Sequence, residues 1–154
     1  MEGGRKEGQG EMALVETDVI LALISQTDKH HHEAVKLIKQ VKPLRLSPYA
    51  LIELDLLIQA GKLEAKTVEL YKALNEALTY HGVEVIKPTP IHLAKAWQLR
   101  EKYQLTYFDS LHASTAIVEG EALISYDKAY LEVKELRYLH PHDALTTNSP
   151  ANPK

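Results

Sequence analysis

Three acidic side chains stand where apolar segments of this chain begin or end, and a fourth lies inside a helix pattern beside its apolar stripe. Asp18 follows Ala13-Leu14-Val15-Glu16-Thr17, Asp109 opens the stretch that runs through Leu111 to Val118, and Asp127 comes just after Ala122-Leu123-Ile124. Glu53 lies beside the apolar stripe of a helix pattern over 49–60. A charge next to buried segments is costly unless it is paired or bound to a cation. If the strands that carry them are neighbours, Asp18, Asp109 and Asp127 meet on one sheet edge and Glu53 hangs over it. Carboxylates within a few ångströms of each other repel, which raises some of their pKa values and destabilises the fold unless a cation neutralises them. All-oxygen ligation in a chain without cysteine selects a hard ion, Mg²⁺ or Mn²⁺, which keeps waters for a phosphate to replace. Such an ion activates water and orients in-line attack, so the expected chemistry is phosphodiester hydrolysis. Glycoside hydrolysis would use two carboxylates and no metal.

Each acid has a plainer role to set against this one. In the first turn of its helix, Asp109 can simply satisfy orphan N–H groups and the positive end of the dipole. Glu53 can sit at the edge of its stripe, as Asp55 can stay solvated on the other side. The shared placement at segment junctions is what favours a common site.

The remainder of the chain has to position these groups. Its 154 residues suffice for one domain with a single core. With no cysteine, a disulfide framework and thiolate metal sites are excluded. A hydrophobic fraction of 45% with 25% charged residues is ordinary for a globular domain. No apolar run approaches the ~20 residues of a membrane span, and Met1-Glu2-Gly3-Gly4-Arg5-Lys6 lacks the apolar core of a signal peptide, so no membrane partner and a cytoplasmic location are expected. The net charge of −3 offers no global attraction to nucleic acid; local basic residues or bound cations would have to hold a polyanion.

Residues 1–11, rich in glycine and charge, are expected to form a disordered leader, 12–145 the folded domain and 146–154 a flexible tail. Ala13-Leu14-Val15 suits a buried strand. Beyond it, either the strand continues and turns Glu16 and Asp18 to one side, or a helix starts at Thr17 with Asp18 in its first turn. A helix follows over 28–41. Its neighbours His30, His31 and His32 point about 100° apart and cannot converge on one ion, so they are expected to face solvent, with His32 nearest the site. Leu44-Arg45-Leu46 reads as a strand, and Ser47-Pro48 opens the helix of Glu53, which Gly61 stops. A helix over 64–80 has a plain apolar face suited to packing or dimerisation. Strands are expected at 83–86 and 136–139, and a helix over 91–103 carries Leu93, Ala96, Trp97 and Arg100 in register, with Trp97 in the core. Strands alternating with helices predict an α/β fold, a three-layer α/β/α sandwich with a parallel sheet of four or five strands.

Taken together these segments resemble the PIN-domain family, and in size the chain is similar to its VapC-type toxin ribonucleases. The likeness is carried by Glu16-Thr17-Asp18-Val19-Ile20-Leu21-Ala22-Leu23, by the helix bearing Glu53, by Phe108-Asp109-Ser110-Leu111-His112-Ala113-Ser114-Thr115-Ala116, and by Leu123-Ile124-Ser125-Tyr126-Asp127-Lys128-Ala129-Tyr130. The resemblance implies a parallel sheet flanked by helices, an acidic site for a divalent metal, endoribonuclease activity on RNA and a homodimer. For the toxin kind it also implies a small antitoxin protein as partner. Position by position, Glu53, Asp109 and Asp127 match the family's later acids, and Ser125 matches a hydroxyl that precedes the last. The first acid is open: aligning on Val19-Ile20-Leu21 puts Glu16 at the usual Asp and Asp18 at the polar third position, and Asp18 is favoured because it lies nearer the helix start.

The expected catalytic set is therefore Asp18, Glu53, Asp109 and Asp127; the metal set adds Glu16; and Thr17, Ser125 and His112 support them, His112 orienting Asp109 from one turn along the helix. Lys29, Arg100, Lys102 and Lys128 would hold RNA at its phosphates. Two other readings are an RNA-processing nuclease outside a toxin system and a PIN-like interaction module without catalysis. A phospho-receiver domain is disfavoured, because no phosphorylatable Asp follows Val83-Glu84-Val85-Ile86.

Overall fold

The computed structural model describes residues 12–148; positions 1–11 and 149–154, where the leader and most of the tail are expected, lie outside the described residues. Strands β1 (Ala13–Val15), β2 (Leu44–Leu46), β3 (Glu84–Val85), β4 (Ala122–Ile124) and β5 (Tyr138–Leu139) form one sheet in the order β3-β2-β1-β4-β5. Every pairing is parallel. β1 is the central strand and, like its neighbour β4, is apolar and buried at every position, as a strand covered on both faces must be. Its alternation divides the core: Ala13 and Val15 face one cluster, Leu14 the other.

The first cluster is closed by α1 (Thr17–Ile24), α2 (His31–Gln40), α3 (Pro48–Gln59), α4 (Thr67–Tyr80) and α7 (Pro141–Asn148). α5 (Pro90–Lys102) and α6 (Tyr107–Glu119) close the second. On α6, fully buried Ala113 and Ala116 let the helix backbone approach Leu14 and Leu123 closely. The architecture is a three-layer α/β/α sandwich on five parallel strands. Among the described residues no helix is long and apolar enough to cross a membrane.

The strand order reverses between β1 and β4, since β2 and β3 extend to one side and β4 and β5 to the other. In open parallel sheets the crevice at the carboxyl ends of such strands is where ligands bind. Beyond the opposite ends lies a different cluster of charge. Arg45 of β2 pairs with Glu84 at 3.6 Å, with Glu119 at 3.2 Å and with buried Glu121. Fully buried His92 reaches Glu119 at 2.9 Å.

Several expectations are corrected. Trp97 is 64% exposed rather than in the core. The buried positions of α5 are His92, Ala96 and Leu99, spaced i, i+4, i+7, so the apolar stripe is out of phase with the one Leu93 and Trp97 suggest. A polar residue at the head of the true stripe hides it. His32 is exposed, whereas His30 stacks on Tyr126 at 3.9 Å between centroids. Thr146, Thr147 and Asn148 belong to α7, whose two apolar residues, Ala144 and Leu145, are too few to make a periodic signal.

Leu123→Ala should cost about 2–5 kcal/mol, because it empties a site at the centre of the sheet that cannot collapse. Urea denaturation measures this; a loss below about 1 kcal/mol would contradict the packing of β4.

Candidate active site

Glu16 occupies the single position between β1 and α1. Its backbone is extended (φ −124°, ψ −167°), it serves as the N-cap of α1, and its carboxylate accepts from the Asp18 N–H at 3.3 Å. The side chain drops into the crevice and is only 4% exposed with its backbone. Ser125 Oγ lies 2.7 Å from Glu16 Oε2, the Tyr130 hydroxyl 3.3 Å from the same oxygen, and His112 Nε2 3.8 Å from Oε1.

Asp18 sits one residue into α1. Its Oδ2 accepts from the Tyr126 N–H at 2.9 Å and lies 2.8 Å from Ser125 Oγ, while Oδ1 is buried without a partner. On α6 the N-cap role belongs to Thr106, whose Oγ1 accepts from the Asp109 N–H at 3.2 Å. The Asp109 carboxylate is thereby left to accept from the Tyr130 hydroxyl, at 3.1 Å. Asp127, after β4, is exposed at the rim. Its Oδ1 accepts from the Ala129 N–H at 2.9 Å and caps the 3₁₀ turn Lys128–Glu132, and its own N–H donates to Ser125 Oγ at 3.0 Å.

Glu53 arrives from α3 on the far side. Its Oε1 accepts from Thr17 Oγ1 at 2.5 Å and from His112 Nε2 at 2.9 Å. His112 is fully buried, and its Nδ1 lies 2.8 Å from Ser47 Oγ at the end of β2. A ring nitrogen facing a carboxylate must carry a proton, so Nε2–H donates to Glu53 and, in the neutral ring, Ser47 donates to Nδ1. His112 thus orients Glu53, not Asp109 as its place on α6 suggests.

The electrostatics follow from crowding. Burial pushes Glu16 upward, and the nearby Asp109 charge adds to this against His112 and Ser125. Asp18 is pushed up to about 7 by burial and by the Glu16 charge. Burial also raises Asp109, with Asp127 contributing. Glu53 is the exception: burial would raise it, but hydrogen bonds from His112 and Thr17 outweigh that and hold it below its ordinary value. Tyr130 is driven far upward by burial and by Glu16 and Asp109, and so stays a donor.

Proton counting exposes the strain in this arrangement. The Ser125 hydroxyl faces Glu16 and Asp18 but has one proton to give, and the Tyr130 hydroxyl faces Glu16 and Asp109 with the same limit. The second contact of each is satisfied only by a protonated carboxyl or a nearby cation. A carboxylate oxygen from each of Glu16 and Glu53 and a ring nitrogen of His112 lie within 4.8 Å of one another, with Asp18 and Asp109 bridged to that nucleus through Ser125 and Tyr130. Glu16 rather than Asp18 therefore stands at the centre. Ser47 and Tyr130 were not anticipated from sequence; nothing in a short polar stretch distinguishes Tyr130 from an ordinary core tyrosine. Of the basic residues, Lys29 and Lys128 are exposed, Lys102 pairs with Glu135 at 3.5 Å, and Arg100 donates to Ser110.

A parallel α/β sandwich with acids gathered at its switch point defines the class of protein. The chain belongs to the PIN domain family, whose profile matches residues 13–136. No curated protein matches it significantly. Among solved structures it is similar to a chain of a toxin–antitoxin complex from Klebsiella pneumoniae, with TM-score 0.62 and 16% identity over 84% of this chain and 97% of that one. A chain of VapBC2 from Rickettsia felis, bound to a DNA fragment from its promoter, gives TM-score 0.63 and 18% identity over 84% and 98%. PAE2754 from Pyrobaculum aerophilum gives TM-score 0.63 and 18% identity over 90% and 97%. At these identities the likeness is one of fold.

The raised carboxyls give a pH dependence of definite sign. A carboxyl whose folded pKa is above its unfolded one takes up a proton on folding, so its contribution is present below the unfolded value and lost as pH rises through the folded value. For Asp18 that window runs from 3.8 to about 7. In EDTA, the melting temperature should fall as pH rises through this window, and Asp18→Asn should flatten the fall. Calorimetry between about pH 4 and 7 checks it; a melting temperature that rises through that window would contradict the crowded site.

Proposed function

We propose that this chain is a divalent-metal-dependent endoribonuclease and the toxin of a toxin–antitoxin pair. PIN domains are generally nucleases, and the similar structures include toxin–antitoxin complexes, which supports a small antitoxin as partner. The observation that carries the reading is the unbalanced crevice: two hydroxyl protons each facing two carboxylates, and a buried Asp18 Oδ1 with nothing to bind. A hard dication fits that deficit, and the oxygen-rich donor set favours Mg²⁺ or Mn²⁺. Glu16, Glu53, Asp18 and Asp109 would hold it, with Asp127 at the rim. When bound, such an ion lowers the pKa of water and stabilises negative charge on a phosphate undergoing attack.

The chain's own residues supply the positioning. Thr17 and His112 keep Glu53 ionised and aimed into the crevice, and Ser47 fixes the imidazole that does so. Ser125 and Tyr130 act as spacers, their hydroxyls set between pairs of acids that would otherwise separate. Exposed Lys29 and Lys128 are suited to backbone phosphates, where they give affinity without sequence selectivity. A homodimer is part of the same reading.

RNA cleavage assays in Mg²⁺ or Mn²⁺ should show activity that EDTA abolishes and that falls at least about 100-fold in Asp109→Asn and in Glu53→Gln. Cleavage persisting in EDTA, or at full rate in either variant, would overturn the mechanism. Calorimetric titration with Mn²⁺ tests the interaction-module alternative, which predicts no saturable binding.

A further inference from the structure

We propose that Trp97, Arg100 and Tyr107 form a stacking subsite for an unpaired nucleotide of an RNA strand entering the acidic crevice. The inference rests on the nuclease reading for the identity of the polymer. Trp97 is 64% exposed and Tyr107 59% exposed, on adjacent helices of one face. Between them lies the Arg100 guanidinium, 4.7 Å from the Trp97 centroid and 5.1 Å from that of Tyr107. Its Nη1 donates to Ser110 Oγ, the residue next to Asp109. Two π faces and a hydroxyl therefore hold a planar cation in place before any ligand arrives, which lowers the ordering cost of binding.

The platform is joined to the crevice by a run of ring contacts. Tyr107 meets Phe108 edge-on at 5.3 Å, Phe108 stacks at 6.4 Å on His112, and His112 donates to Glu53 at 2.9 Å. Tyr107 and Asp109 share the first turn of α6. An acidic crevice by itself repels a polyanion, so a strand needs a cationic and stacking foothold next to it. Aromatic faces with an interleaved Arg bind single strands because every base has a π face, whereas the bases of a duplex are already stacked on each other. A second copy of this chain is the competing occupant. The guanidinium fork, suited to a phosphate, and the continuity with the crevice favour RNA.

Trp97 is the only tryptophan of the chain, so its fluorescence reports this site alone. In EDTA, where the proposed cleavage is silent, an unpaired oligoribonucleotide should quench it saturably and a duplex of the same length should not. By anisotropy of a labelled oligonucleotide, Trp97→Ala and Arg100→Lys should each weaken binding about tenfold, while Tyr80→Ala, which removes an exposed ring on α4, should not. Circular dichroism of each variant confirms that it is folded. Absent quenching, equal quenching by duplex, or wild-type binding by folded Trp97→Ala would overturn the proposal. So would a Trp97→Ala protein that changes oligomeric state with unaltered RNA affinity, which would assign the face to a second copy. Quenching without cleavage in Mg²⁺ or Mn²⁺ would refute the nuclease reading and leave the subsite standing; cleavage without quenching would do the reverse.

Discussion

A carboxylate removed from water at the end of the central strand sets conditions that the surrounding residues must meet. Glu16 cannot leave, because its backbone is fixed between β1 and α1 and its side chain caps the helix. Its charge is costly where it stands and costlier with Asp18 and Asp109 beside it. Ser125, Tyr130 and His112 each approach from a different element to ease that cost. The parallel sheet brings those elements together only because β1 lies between β2 and β4. The order of strands and the chemistry of the crevice are one constraint seen at two scales.

The two concentrations of acid in the molecule are handled in opposite ways. Around β2, Glu84, Glu119 and Glu121 converge on Arg45, so negative charge is met by a guanidinium built into the fold. At the crevice, His112 pairs with Glu16 and Glu53, and Asp18 and Asp109 rely on hydroxyls and a backbone N–H. A chain that neutralises the buried Glu121 with an arginine, and among the described residues sets no arginine against the acids of its switch point, leaves a place there for positive charge from outside. That contrast is the physical basis for reading the crevice as a metal site.

Much of this architecture is legible in the amino-acid sequence. The apolar runs and their breakers located the strands and the helices that carry Glu53 and Asp109, because burial on both faces leaves an unmistakable pattern in β1 and β4. The centre of the site was harder. Both Glu16 and Asp18 reach the crevice, and which of them takes its centre depends on where the strand yields to the helix, a boundary that local pattern leaves open. The partner of His112 depends on α3 crossing near α6, which no local pattern encodes. Hydrophobicity alone sets the wrong phase for α5 and puts Trp97 inward, whereas a buried histidine, His92, hydrogen-bonded to Tyr49 and Glu119, occupies the inward position.

The crevice draws on residues 16–18, 47–53, 106–112 and 125–130, stretches scattered over most of the chain. Of the crevice acids, the segment before β3 holds only Glu16, Asp18 and Glu53. Ser125 and Tyr130 are added when β4 and the turn after it slot in beside β1. A ribosome-bound or truncated chain ending before that strand therefore carries some of the acids without their spacers. On the proposed reading it is chemically mute, and competence waits on the docking of β4 and the turn after it.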